Sequence, residues 1–490
     1  CSNCFQRFLL FKYPILSHGD AESRPIPTCP YEFPNGQGDV AKFLEGEKKS
    51  KEWIREHGKT YRIWSGMTSE IVLTRPEDVK TVFRDSDSHS KAKNNDAGWL
   101  MGELLGKCLG LVTGSEWRQT RLCMGDLFTQ SKVAAQIPRI REVVQIYFDE
   151  LHTTGRLAVR QMNPGKDLRL LPLWIVADYI YGPLTPALRS QLENLIPLRD
   201  SLFSRVIQGG AVAYKVCCTR GSITLTRFHW SRFLLSQTNH DLKDFKVRWQ
   251  QFNCDVYAIC QGAGRNPPIV HMYEAYKSGR MTLETLLQTL DEMLFGNLDV
   301  TIGGLSWNPL FLAAHQDTQN ELRNEIQTAN EEWSQYIARG DTLLAASISE
   351  SARLKPIAAF SIPQAAPTVR ATGGYLVPAQ TNFVVDTKAL NIDNPYWGPD
   401  RAAYRPSRFL ERRVAGDMRY QYWRFGFGPR QCLGKYLADI IIRVVVAHMV
   451  QKYQLTLDAT STWDKKSGVW ISQADCDIRC DDIELENAGK

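Results

Sequence analysis

The chain has 490 residues, of which 43% are hydrophobic and 23% charged, so it is long enough to bury a large core within one domain. Its formal net charge of +6 is small for this length and gives little support to a nucleic-acid-binding role. Most of the twelve cysteines are scattered along the chain, which favours a reducing compartment over a disulfide framework.

Sequence periodicity predicts a mainly α protein with a small β portion. Residues 60–74 alternate between apolar and polar side chains, which predicts two strands with a turn at Gly66, and residues 373–385 predict another pair. Apolar residues at helical spacing predict long helices over 134–152, 166–182, 282–313, 317–339 and 434–453.

Two segments suggest contact with a membrane surface. The N-terminal run FLLF, residues 8–11, is too short to cross a bilayer, and the proline-containing stretch 23–38 after it is typical of a hinge. Residues 214–249 mix Arg and Lys with Phe, Trp and Leu. That mixture suits an interfacial surface, but an ordinary pair of amphipathic helices explains it equally well.

A single cysteine, Cys432, stands in the segment FGFGPRQCLG just before an apolar helix. The positive end of a helix dipole and the nearby Arg430 both favour a thiolate there, which is the form that binds metal. One thiolate without a partner CxxC pair does not suit zinc, which takes four ligands. The position suits a cofactor that brings its other ligands with it.

Residues 425–434 fit the F-x-x-G-x-R-x-C-x-G signature of the cytochrome P450 family at every fixed position, so the chain resembles this family. Three further segments match family motifs in the same order along the chain: GSEWRQTR (114–121), ESAR (350–353) and YRPSRF (404–409). The resemblance covers most of residues 30–460. It implies the fold of that family, with haem b between the long central helix and the helix that follows the cysteine.

The resemblance also implies roles for individual residues. Cys432 would be the axial ligand of the haem iron, while Arg430, Trp117 and Arg121 would bind haem propionates. Further cofactor contacts would come from Arg370, Phe425, Gly426 and Gly434. Glu350, Arg353 and Arg408 would form a buried structural triad that fixes the loop before the cysteine.

The central helix departs from the family pattern at the residues that relay protons to bound oxygen. The acid is present as Asp299, but Val300 replaces the alcohol, and Thr301 lies one residue, about 100° of helix rotation, further on. Either Thr301 serves in a locally distorted helix, or water or substrate carries the proton. We favour the second alternative.

The resemblance and helical spacing together predict a largely apolar substrate pocket. Glu292, Gly296 and Val300 are four residues apart and share a helix face. Glu292 either enters the cavity or lies on the flank and pairs with an arginine. The remaining predicted lining residues are Phe295, Trp99, Leu100, Phe360 and Ile362.

These observations predict a haem-thiolate monooxygenase that oxidises a small apolar molecule, in the manner of fungal secondary-metabolism enzymes. O₂ and electrons from NADPH, delivered by a separate cytochrome P450 reductase, would drive it. Oxidative cyclisation, coupling or epoxidation on the same scaffold is an alternative, and a non-catalytic haem sensor or carrier is an alternative of another class.

By the same resemblance, residues 1–29 would be a remnant and hinge following a truncated membrane anchor, and residues 30–490 a single haem-binding domain. The domain would face the cytosol at the endoplasmic reticulum membrane.

Overall fold

The computed structural model describes residues 2–19, 22–33, 36–38, 40–91, 98–212, 233, 236–415, 418–457 and 461–483. It is 60% helical and 11% strand, which confirms the prediction of a mainly α fold with a small β portion.

The α-helices of the described residues are α1 (Ser2–Lys12), α2 (Gly46–His57), α3 (Pro76–Phe83), α4 (Gly98–Leu105), α5 (Gly114–Gly125), α6 (Gln130–Ala134), α7 (Ile137–Thr154), α8 (Pro164–Asp167), α9 (Leu171–Tyr181), α10 (Pro186–Val212), α11 (Gln237–Gly262), α12 (Pro268–Lys277), α13 (Leu283–Phe295), α14 (Val300–Ala314), α15 (Gln316–Thr328), α16 (Trp333–Ala338), α17 (Leu343–Leu354), α18 (Ser407–Ala415) and α19 (Lys435–Lys452).

The strands are β1 (Leu16–Ser17), β2 (Thr60–Ser65), β3 (Thr68–Leu73), β4 (Ser90–Lys91), β5 (Gln161–Met162), β6 (Gln364–Ala365), β7 (Arg370–Thr372), β8 (Tyr375–Val377), β9 (Asn382–Val385), β10 (Tyr453–Leu457) and β11 (Ile478–Asp482). They form three small sheets with the orders β2-β3-β9-β6-β4, β1-β8-β7 and β10-β11-β5. β2 and β3 pair antiparallel, and β3 pairs parallel with β9.

The predicted strands and most of the predicted helices are present. The prediction that residues 373–385 form a strand pair is wrong, because β8 and β9 belong to different sheets. Two long helices are divided. The segment 282–313 forms α13 and α14, which a 3-10 turn at Gly296–Leu298 separates. The segment 317–339 forms α15 and α16, with an irregular stretch at residues 329–332. Helical periodicity did not reveal these breaks, because both halves of each segment carry buried residues at helical spacing.

The cysteine-bearing loop lies where two cores meet. The large helical core includes the buried apolar residues of α13, α14 and α19, and Leu433 of the loop packs against it. A smaller core between the β-sheets includes Phe83 and Phe383, and Trp423 and Phe427 of the loop pack against it. The loop is therefore anchored from both sides.

The N-terminal segment packs onto the sheet that contains β2. Leu9 of α1 is fully buried and clusters with Tyr31 and Trp64, and β1 pairs with β8. The predicted boundary at residue 29 therefore does not coincide with a gap in the packing.

Within the described ranges, every helix is too short or too polar to span a membrane. Most of the proposed interfacial segment, residues 214–249, lies outside the described residues, and its last part forms the start of α11.

Candidate active site

Glycines shape the loop that carries Cys432. Gly426 and Gly428 have positive φ angles of 80° and 71°, and a Cβ at Gly428 would lie 2.3 Å from a backbone oxygen of α3. The amide of Cys432 donates to the carbonyl oxygen of Phe425 at 2.9 Å. Gly434 then caps α19, so the thiol lies at the start of a buried helix.

The Cys432 thiol lies deep in the fold, yet its side chain is accessible, so it faces an internal space. Burial raises the pKa of this thiol, and the backbone N–H of Gly434 and the charges of Arg121 and Lys435 oppose that effect only in part. In the free thiol, desolvation therefore outweighs the effect of the helix terminus and of the nearby positive charges. A bound metal cation would remove the proton.

Three basic side chains surround this space, and each comes from a different element. Arg121 lies on α5, Lys91 ends β4, and Arg430 belongs to the cysteine loop. Charge interactions connect Arg121 and Lys91 with Cys432. Burial lowers the pKa of Lys91 to about 8, with the charge of Arg430 as a second cause, so an anion bound here would be stabilised.

The Arg430 side chain is fixed by the backbone of two segments. It donates to the carbonyl oxygens of His89 at 2.9 Å and Val112 at 2.5 Å, and its guanidinium lies 4.8 Å from the centre of the Trp117 ring. Burial, followed by the charge of Arg121, lowers the pKa of Arg430 to about 10. Trp117, Arg121 and Arg430 are thus brought together as their motifs predict.

Arg370 and Phe425 have other partners at the edge of the site. Arg370 on β7 donates to a carboxylate oxygen of Asp85 at 2.7 Å. The ring of Phe425 lies 4.7 Å from the Arg424 guanidinium, which pairs with Asp439 on α19 at 2.7 Å. This pair ties the loop to the helix that follows it.

The family model for cytochrome P450 matches residues 44–474. The chain belongs to the cytochrome P450 family. It is 48% identical to the cytochrome P450 monooxygenase aclC of Aspergillus oryzae over 98% of this chain and 96% of that protein. It is 43% identical to asaD of Aspergillus flavus, over 96% and 89% of the two chains, and 39% identical to gliC of Aspergillus fumigatus, over 96% and 92%.

Haem is the cofactor that this family implies, and the residues fit it. Cys432 offers one thiol, and the basic cluster of Arg121, Lys91 and Arg430 suits carboxylates. At Gly296 and Gly434 a Cβ would meet no atom within 4 Å. Among the described residues, no group of three or more His, Cys, Asp or Glu could hold a metal ion, so a metal at Cys432 needs ligands from a cofactor.

The central helix is broken where the oxygen side of the site was predicted. Asp299 has φ −125° and ψ −51°, outside the helical region, and its carboxylate accepts from the Gln473 amide at 3.1 Å. Burial raises the pKa of Asp299, while Arg169 and Gln473 oppose the rise. Gln473 lies on the hairpin in which Lys465 pairs with Ala474.

Val300 and Thr301 occupy different environments across this break. The Val300 side chain is 44% exposed, although it lies within the central helix. Thr301 is buried, and its hydroxyl donates to the side-chain oxygen of Asn297 at 2.5 Å. The distorted helix considered in the sequence analysis is therefore present, but it directs the Thr301 hydroxyl to another side chain.

The Glu292 carboxylate holds the loop after α4. It accepts from the backbone N–H of Gly110 at 3.0 Å and also interacts with the Cys108 thiol. Burial raises the pKa of Glu292. The charge of Glu292 also acts on Cys432, Lys91 and Arg430, so the carboxylate lies near the thiol, and its contact with substrate stays a prediction.

The predicted pocket residues fall into two groups. Val300 and Ile362 are 44% and 48% exposed. Trp99, Leu100 and Phe295 belong to the large helical core, and Phe295 packs 5.2 Å from Trp249 of α11. Phe360 is fully buried in a separate core, 5.6 Å from Trp53, and its contact with substrate stays a prediction. Burial against another aromatic ring determines its position.

Glu350, Arg353 and Arg408 form one buried ion cluster. Glu350 accepts from Arg353 at 2.7 and 2.8 Å and from Arg408 at 3.3 Å, and all three side chains have 0% exposure. Arg353 donates to the carbonyl oxygen of Asn391 at 3.0 Å, and the Asn391 amide bonds the carbonyl of Trp423 at 2.8 Å. The cluster is thereby connected to the cysteine loop.

Sequence reasoning missed four residues of the site: Lys91, Asn297, Asn391 and Gln473. An asparagine within a helical pattern was the one available signal, because Asn side chains compete for backbone hydrogen bonds. Lys91, Asn391 and Gln473 lie far from the site in sequence, and only the tertiary fold brings them to it.

Proposed function

We propose that this protein is a haem-thiolate monooxygenase that hydroxylates a small, largely apolar molecule in a fungal secondary-metabolite pathway. The observation that carries the proposal is Cys432 on an internal space, with Arg121, Lys91 and Arg430 around it. The balanced reaction converts substrate R–H, O₂, NADPH and a proton into R–OH, water and NADP⁺. A separate NADPH-dependent reductase supplies the two electrons.

Each part of the site has a role in this proposal. Cys432 holds the haem iron, and the basic cluster holds the haem carboxylates. Haem supplies the activation of O₂, and a thiolate ligand favours O–O cleavage. Val300 and Ile362 provide apolar contacts for the substrate. Glu292 holds the loop at Gly110 beside the thiol.

Asp299 is the proposed source of protons. The charges of Arg169, Asp200 and Lys466 act on its carboxylate, and Asp200 and Lys466 can exchange protons with solvent through water. Gln473 orients the carboxylate. Because the Thr301 hydroxyl donates to Asn297 and Val300 has no hydroxyl, water or substrate must complete the route.

Oxidative cyclisation, coupling or epoxidation is a second candidate, and Val300 in place of an alcohol favours it. With fewer protons delivered by the protein, the geometry of the bound substrate has more influence on which reaction follows. Product mass identifies coupling and cyclisation, which remove hydrogens only. Hydroxylation and epoxidation each add one oxygen, so the NMR spectrum of the product must distinguish an alcohol from an epoxide.

The reductase has a candidate docking surface on the outer side of the cysteine loop. A pocket of about 560 Å³ lies there, lined by Arg84, Arg419, Tyr420 and residues 427–429. Two arginines beside the loop suit an acidic partner. Arg419→Glu should slow reduction by the reductase and leave reduction by dithionite unchanged.

Contact with a membrane surface, with the catalytic domain facing the cytosol at the endoplasmic reticulum, is also part of the proposal. Phe8, Phe11 and Phe33 are 52%, 87% and 55% exposed. The rings of Phe8 and Phe33 both lie 6.4 Å from the ring of Phe5, and Phe11 lies three residues after Phe8 on α1. The double variant Phe8→Ser/Phe11→Ser should float less with phosphatidylcholine–phosphatidylserine vesicles than the parent. Val159→Ser, at a residue that is 69% exposed elsewhere, is the control.

The central test is the spectrum of the reduced CO complex. The parent should give the red-shifted thiolate band, Cys432→Ala should lose it, and Cys476→Ala and Cys480→Ala should keep it. Turnover with reductase and NADPH, after a screen for substrates that shift the haem spin state, then distinguishes an enzyme from a haem sensor. A thiolate band that survives in Cys432→Ala would refute the proposal.

A further inference from the structure

Two asparagines in the central helices make the same unusual contacts. The Asn297 amide donates to the carbonyl oxygens of Met293 at 2.5 Å and Leu294 at 3.1 Å, four and three residues back respectively. The Asn308 amide does the same with Gly304 at 2.7 Å and Leu305 at 3.2 Å. Side-chain bonds of this kind replace or supplement backbone bonds in a helix.

The contacts of Asn308 have a local cause. Pro309 follows it and has no N–H, so the carbonyl of Leu305 lacks its usual donor four residues on. The side chain of Asn308 supplies a replacement, and α14 continues through Pro309 to Ala314. Asn308 therefore replaces the hydrogen bond that Pro309 cannot make, and the helix stays continuous.

Asn297 differs because no proline is near and because both ends of its amide are bonded. It lies inside the 3-10 turn Gly296–Leu298. Its nitrogen bonds the last turn of α13, and its oxygen accepts from Thr301 in the first turn of α14 at 2.5 Å. This one side chain connects the two helices across their break.

The residues beside the break depend on its geometry. Asp299 leaves the helical region of backbone angles, and its carboxylate meets Gln473. Val300 is exposed, while Thr301 is buried. In one continuous helix the backbone angles of Asp299 would change, and both side chains after it would rotate.

We propose that Asn297 is a positioning residue that fixes the break between α13 and α14, and that Thr301 acts through Asn297 rather than by giving protons to oxygen. The bridge holds Asp299 against Gln473. Its effect on catalysis rests on the proposed proton route through Asp299, whereas its effect on the helix does not.

Hydrogen exchange of the holoprotein tests the bridge without turnover. Asn297→Ala and Thr301→Val should each speed exchange at the amides of Asp299 and Gly303 about fivefold, since the turn then opens more often. Asn308→Ala is the matched control: it removes the same pair of bonds, so it should speed exchange after Gly304 only. Unchanged or slower exchange at Asp299 in both bridge variants would overturn the proposal.

Peroxide release tests the role in proton delivery. With reductase, NADPH and O₂ but no substrate, one NADPH reduces one O₂ to one H₂O₂, whereas two NADPH and additional protons yield two H₂O. Asn297→Ala and Thr301→Val should raise the H₂O₂ formed per NADPH by a similar factor, and the double variant no further. Thr301→Ser should match the parent, because it keeps the hydroxyl, and so should Asn308→Ala.

Three results would count against the catalytic role. Peroxide release that rises in Thr301→Val but not in Asn297→Ala makes Thr301 the relay. Effects that multiply in the double variant make the two residues independent. If hydrogen exchange is faster in both bridge variants but peroxide release is unchanged, Asn297 stabilises the helix break and has no role in proton delivery. A parent without the thiolate CO band refutes the proposed function instead.

Discussion

Replacing Glu350 should destabilise the protein strongly, because two arginines share its carboxylate. Glu350→Ala removes the acceptor of Arg353 at 2.7 and 2.8 Å, of Arg408 at 3.3 Å and of the Arg405 amide at 3.0 Å. The three ionic side chains have 0% exposure. Water therefore cannot replace the lost carboxylate unless the fold opens.

The expected loss of stability follows from this burial. Removing one partner of a buried ion pair costs roughly 3–5 kcal/mol. Arg408 keeps a contact with Asp400 at 3.1 Å, but that carboxylate is 40% exposed, so it compensates only weakly. We expect about 3–4 kcal/mol, which is a large part of the roughly 5–15 kcal/mol that stabilises a typical domain.

The same change should loosen the haem site. Arg353 also holds the carbonyl oxygen of Asn391, whose amide bonds Trp423 just before the cysteine loop. Loss of the Glu350 contacts frees Arg353 and removes one support of that chain. Haem content after purification should fall together with stability.

The assay is urea unfolding of the holoprotein, followed by intrinsic fluorescence and by the Soret band. Glu411→Ala is the control, because Glu411 accepts from Arg405 at 2.7 Å but is 54% exposed. Such a surface pair should contribute no more than about 1 kcal/mol. Equal midpoints for Glu350→Ala and Glu411→Ala, with equal haem content, would refute the reasoning.

Three further predictions concern the proton route and pH. Asp299→Asn should slow substrate turnover strongly, since an amide cannot exchange a proton as a carboxylate can, and unchanged product per NADPH would exclude this route. Val300→Thr should fold normally and shift products toward simple hydroxylation, as product mass would report. Burial raises the pKa of Asp386 to about 6, so the parent loses stability as pH rises from about 4 to about 6. Asp386→Asn should therefore be more stable than the parent by up to about 3 kcal/mol above pH 6 and by little below pH 4, measured by unfolding across pH.

The sequence determined the parts of the site that depend on local spacing. The glycines and cysteine of the loop, the Trp117–Arg121 pair on one helix face and the Glu350–Arg353 pair each lie within one short segment. Their side chains meet because helix and turn geometry bring nearby residues together. Such contacts can be predicted before the rest of the fold is known.

Only the tertiary structure decided how the central helix is broken and which groups complete the site. Gln473 is 174 residues from Asp299, and Glu292 is 182 residues from Gly110, yet each pair is hydrogen-bonded. Helical periodicity alone did not place the break, because buried apolar residues continue on both sides of it. The side-chain bonds of Asn297 and the approach of the Gln473 hairpin fix the break, and both depend on the packing of segments that are distant in sequence.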